Sequence, residues 1–69
     1  MKISARNVLK GNITDVTKGQ TTTHVVIEIE GGATVFSSIT NEAADELKLT
    51  KGQAASAVIK ASDVMVGVD

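Results

Sequence analysis

Apolar and polar residues alternate most cleanly over residues 21–30, TTTHVVIEIE. Val25, Ile27 and Ile29 fall on one face. His24, Glu28 and Glu30 fall on the other, with Val26 among them. A period of two over this length predicts a half-buried strand. The preceding run 3–18, ISARNVLKGNITDVTK, reads as a first strand with Val8, Ile13 and Val16 at its buried points. Gly11 interrupts it, which predicts a bulge or a bend where another backbone comes close. Lys18-Gly19-Gln20 is a turn. Gly31-Gly32 is a hairpin signal, because glycine accepts positive φ, and residues 33–39, ATVFSSI, return as a third strand.

The period then changes. Residues 40–48 read as a short helix. Thr40 or Asn41 can cap its start, Glu42 and Asp45 suit the positive end of the dipole, and Ala43, Ala44 and Leu47 make a narrow apolar stripe. Lys51-Gly52 ends the element. Residues 53–60, QAASAVIK, form a fourth strand and 63–68, DVMVGV, a fifth. The expected fold is all-β with one short helix: a five-stranded OB-like barrel with the helix between strands three and four. A half-open, swapped β-sheet would give the same string. No internal repeat exists, and residues 1–69 are expected to form a single domain.

Composition adds a constraint on assembly. A chain of 69 residues buries only about 60% of its unfolded surface. There is no cysteine, so neither a disulfide nor a Cys-type zinc site can staple it. His24 is the only histidine and cannot make a metal site alone. Apolar residues are 42% of the chain, yet Phe36 is the sole aromatic, so the core is Val, Ile, Leu and Ala. The remaining staple is association with copies of itself, and the chain is expected to be oligomeric.

Other classes are disfavoured in turn. Met1-Lys2 is followed by Ser4, Arg6 and Asn7 and not by an apolar run, and no segment reaches the ~20 apolar residues of a span. The expectation is a cytoplasmic protein with no membrane partner. A net charge of −1 and one aromatic do not make a basic groove with stacking platforms, so a nucleic-acid partner is not expected. No Cys nucleophile, no converging Ser-His-acid set and no phosphate loop are present. Glu28 and Glu30 share a strand face, but such a pair is more simply solvated. The chain is not expected to be an enzyme.

Two segments carry a family resemblance. The opening run Ile3-Ser4-Ala5-Arg6-Asn7-Val8-Leu9-Lys10-Gly11 resembles the start of the molbindins, the small Mop-type molybdate-binding proteins. The closing run Val58-Ile59-Lys60-Ala61-Ser62-Asp63-Val64-Met65 is similar to their end. Between them the layout of strand, Gly-Gly, strand and short helix also matches. The resemblance implies an OB-like barrel, a hexamer built as a trimer of dimers, and molybdate or tungstate bound between subunits for intracellular storage, buffering or homeostasis. It also implies an oxyanion site made from Ser4, Arg6, Thr40, Lys60 and Ala61. Relatives often carry a serine where this chain has Ala43. That removes one hydroxyl, while the Ala43 N–H is expected to point out of the helix start.

The chemistry of those residues suits such a ligand. Molybdate at neutral pH is a dianion with four acceptor oxygens and no proton, so its site needs donors only. Arg6 offers five N–H donors in a fork and Lys60 three; Ser4 and Thr40 hydroxyls rotate to donate. Two cations balance a dianion, which lowers the cost of desolvating it. The plainer readings are that Arg6 and Lys60 are isolated surface charges, Ser4 is solvated and Thr40 is only a cap. The corresponding alternatives are an oligomeric OB-fold assembly module without ligand and, less favoured, an OB-fold nucleic-acid binder.

Overall fold

The computed structural model describes residues Met1–Asp69. Its elements are β1 (Asn7–Lys18), β2 (Thr22–Ile29), β3 (Thr34–Thr40), α1 (Asn41–Leu47) and β4 (Ala54–Ile59), followed by one 3-10 turn over Ala61–Asp63. The strands form one antiparallel sheet in the order β3-β2-β1-β4. No helix is long and apolar enough to cross a membrane.

β1 shapes the sheet because its two halves serve different neighbours. Asn7–Asn12 pair with β4, while Gly11–Lys18 pair with β2. A strand that changes partner along its length must coil, and the sheet curls into a half-barrel. Gly11 stands at the changeover, opposite Ile29 on one side and Ala55 on the other. A Cβ there would overlap the Glu28 carbonyl oxygen, and would lie 2.9 Å from the Glu28 carbonyl carbon and 3.0 Å from the Ile29 Cα. The close backbone approach expected at Gly11 is present.

The bulge lies elsewhere, between Ile13 and Asp15. An extra residue there inverts the in–out alternation of the strand. Ile13 and Val16, of opposite parity, therefore both face the core. Val8 does not: it lies on the outer face, 42% exposed, paired with Val58. The expectation of a buried Val8 ignored this change of phase.

Ile13, Val25, Ile27 and Ala57 form the buried cluster, with Val16, Ile29, Val35, Ile39, Leu49 and Ala55 packed around it. Only 6 of 69 residues are buried, so the sheet encloses little by itself. Thr40 is the helix cap: its Oγ1 accepts from the Ala43 N–H at 3.1 Å. At the other end Lys48 adopts the left-handed conformation, φ 52° and ψ 48°. Its N–H reaches the Asp45 carbonyl at 3.1 Å, and the Leu49 N–H reaches that of Ala44 at 3.2 Å. This is the two-bond Schellman closure, which usually carries glycine. Relief of left-handed strain outweighs the extra freedom of an unfolded glycine, so Lys48→Gly is expected to stabilise the protein by about 0.5–1 kcal/mol. A urea melt at fixed chain concentration checks this, and a lower midpoint would contradict it.

The fifth strand is absent, and the five-stranded barrel is accordingly not closed. Residues 64–69 form no strand, and Val64, Met65, Val66 and Val68 are 50–93% exposed. The pattern of 63–68 is strand-like, but a strand exists only against a partner edge, and within one chain the tail leaves β4 through the 3-10 turn without meeting one. Residues 3–6 are likewise outside β1. The open side is a cleft of about 390 Å³ lined by Ile13, Val25, Ile27, Ile39, Leu47 and Leu49, among others.

Candidate oxyanion site

The five residues expected to hold an oxyanion lie in two groups. The first is at the start of β1 and the end of β4. Asn7 and Ile59 form the outermost rung of that ladder. Arg6 immediately precedes the rung and Lys60 immediately follows it, so antiparallel pairing brings together two cations from opposite ends of the sequence. Ser4 lies two residues before Arg6, and Ala61 opens the 3-10 turn. All four are exposed. The single salt bridge of the chain joins Lys18 to Asp45 at 3.4 Å, so neither Arg6 nor Lys60 is neutralised by a carboxylate. Ala61 has only its backbone N–H to donate.

Thr40 is the second group. It pairs with Thr22 at the far end of the sheet, where Lys18 pairs with Thr23. A polar recess lies there, lined by Gln20, Thr21, Thr40, Asn41 and Glu42. The Thr40 hydroxyl accepts from Ala43 and keeps its own O–H to donate. The Ala43 N–H points to the helix start as expected, but the Thr40 hydroxyl there engages it, so it is not free for a ligand.

Asn41, which the sequence suggested only as a possible cap, organises this recess. Its Nδ2 donates to the Gly19 and Gln20 carbonyls, both at 3.1 Å, and its N–H donates to the Thr21 carbonyl at 3.1 Å. Three consecutive acceptors of the β1–β2 turn are thereby occupied by one residue. The Asn41 Oδ1 accepts in turn from the Thr23 hydroxyl at 2.7 Å, and Thr23 is 1% exposed. Thr23→Val keeps the shape and removes the donor, so it is expected to cost about 1–3 kcal/mol. Thermal unfolding of the variant is the measurement, and an unchanged midpoint would show that the bond contributes nothing. The only acid lining the recess is Glu42, a charge that opposes an anion.

Within one chain the two groups stand at opposite ends of β1: the Asn7–Ile59 rung lies at one end, and at the other Lys18 pairs with Thr23, next to the Thr22–Thr40 pair. The 12 residues of β1 run between them, roughly 35 Å measured along the coiled strand, many times the span of a tetrahedral oxyanion. Sequence reasoning identified the cations and the helix-start hydroxyl but missed Asn7 and Asn41, which hold the local backbone at each end. Their signal is weak: an asparagine at a strand start and one beside a helix cap.

Comparison with known proteins agrees with this architecture. Molybdenum-pterin-binding protein 3 of Clostridium pasteurianum is 47% identical over 66 residues, covering 96% of this chain and 97% of that protein. MopII from Clostridium pasteurianum superposes with a TM-score of 0.91 at 42% identity, covering 97% of this chain and 100% of that one. The cytoplasmic molybdate-binding protein ModG, solved with molybdate bound, gives a TM-score of 0.94 at 42% identity over 100% of this chain and 49% of that one. Residues 3–66 match the family described as the TOBE domain. With nearly the full length matched in sequence and in fold, this chain belongs to the TOBE-domain family and, within it, to the small molybdenum-binding proteins of the molbindin type.

Proposed function

We propose that this chain binds molybdate or tungstate between copies of itself, as a single oxyanion-binding domain over residues 1–69, and carries out no catalysis. The observation that carries the reading is its likeness, at 42% identity over all of this chain and 49% of the other, to a protein solved with molybdate in place. The fold supports it independently. Arg6 and Lys60 flank the same Asn7–Ile59 rung and neither has a carboxylate partner, while Thr40 offers a free O–H at the other end of the sheet. A second copy is needed to bring a Thr40 end to an Arg6–Lys60 end.

The same conclusion follows from burial. Few residues are buried in the single chain, an apolar cleft stays open beside β3 and β4, and the tail carries four exposed apolar side chains. Association covers such surface and supplies the stability that a small core lacks. The assembly is a hexamer of three dimers in the cytoplasm, where it stores or buffers the anion. Selectivity follows from a site in which donors predominate: hydrogen phosphate would turn its proton toward the Arg6 and Lys60 cations, which have no acceptor to offer it.

Native mass spectrometry with and without molybdate tests the whole reading. The expected result is a particle of six chains that retains the anion through buffer exchange. A folded monomer that retains none would overturn it.

A further inference from the structure

Arg6 and Lys60 lie just beyond the last rung of a ladder, Asn7–Ile59, and that is an unfavourable place to keep two like charges. Terminal rungs open most readily, and neither residues 1–6 nor residues 60–69 belong to a strand that would clamp them from outside. Like charges facing each other across strands repel. No carboxylate pairs with either cation. Without an anion, the end of the β1–β4 ladder should therefore splay, carrying Lys60 away from Arg6. One further bond opposes this. The Asn7 Nδ2 donates across the strands to the Ile59 carbonyl at 3.1 Å, linking residues 52 positions apart. Asn7 is half-buried, so the bond is partly shielded from water. It ties the residue after Arg6 to the residue before Lys60.

We propose that Asn7 is a positioning residue for anion binding: its side-chain amide fastens the last β1–β4 rung and keeps Lys60 beside Arg6 before the ligand arrives. The inference rests on the reading that these two cations hold the oxyanion. Asn7 itself need not touch the ligand. Its part is to hold two mutually repelling donors in the geometry that the anion requires, so that binding does not have to close the ladder.

A double-mutant cycle tests this, with molybdate affinity measured by calorimetry on the assembled protein. Asn7→Ala is expected to weaken binding about fivefold to tenfold. In a Lys60→Ala background the same change should have little further effect, because the residue it holds in place is gone. Asn7→Asp keeps the shape but cannot donate to a carbonyl, so it should bind no better than Asn7→Ala. Should Asn7→Ala fail to assemble, Asn7→Ser enters the same cycle. Strict additivity of the Asn7 and Lys60 changes would overturn the proposal, since it would mean that Asn7 supports the fold alone. Parent-like affinity in Asn7→Ala would overturn it as well and leave the molybdate reading intact. A parent protein that binds no molybdate would instead overturn that reading, and this proposal with it.

Discussion

Gly11→Ala is expected to prevent folding. The added Cβ would overlap the Glu28 carbonyl oxygen and crowd the Glu28 carbonyl carbon and the Ile29 Cα. All three are backbone atoms, so no side chain can swing aside. β1 is held there on both edges, by Ile29 of β2 and Ala55 of β4, so it cannot retreat without breaking one ladder. Overpacking commonly costs about 1–3 kcal/mol, and at a site this constrained the cost should be about 3 kcal/mol or more. A core of this size supplies only about 3–5 kcal/mol in total. Gly52→Ala is the useful comparison: its φ is 93° but its surroundings are open, so it should lose only the left-handed penalty of about 1–2 kcal/mol. Circular dichroism and a urea melt, both at fixed chain concentration because assembly contributes to stability, separate the two. A Gly11→Ala variant with the parent's midpoint would mean that β1 does not coil against β2 as described.

Removing either Arg6 or Lys60 is expected to weaken molybdate binding by about tenfold to a hundredfold, the value of a charge-assisted hydrogen bond. Arg6→Lys should restore binding only in part, since a point charge does not replace a planar fork of donors. Thr40→Ala should lose a donor and a helix cap together, costing affinity and about 1 kcal/mol of stability. The separation of the two groups adds a sharper expectation. A chain lacking Arg6 and Lys60 retains its Thr40 end, and a chain lacking Thr40 retains its cationic end. Refolded together, the two should form mixed assemblies with more binding capacity than either alone, because some interfaces would join two intact ends. Calorimetry on the single variants and on the mixture is the measurement. If both cation variants stay assembled and bind as the parent does, the anion lies elsewhere. If the mixture gains nothing, Thr40 and the cations do not share a ligand.

Much of this protein was legible from residue order alone. The alternation in 21–30 placed β2 and its inward residues Val25, Ile27 and Ile29. Gly31-Gly32 marked the hairpin, Thr40 the start of the helix, and an interrupting glycine the close approach on β1. These are local features: side-chain period, cap chemistry and glycine's small size act over a few residues, so a short window contains their cause. The resemblance of the two end motifs nominated Arg6 and Lys60 for one site, and the register sets them on either side of one rung. What the chain order does not contain is anything that depends on which segments become neighbours. The phase of β1 changes at a bulge that has no glycine to mark it, so Val8 lies on the outer face although Ile13 and Val16 face the core. The hydrogen bonds of Asn7 to Ile59 and of Asn41 to the β1–β2 turn cross 52 and more than 20 positions, and neither asparagine stands out until those partners are present. The apolar run 63–68 has the composition of a strand, but composition is not sufficient. A strand is defined by the edge it pairs with, and this tail pairs with neither of the edges, β3 and β4, that the sheet leaves open.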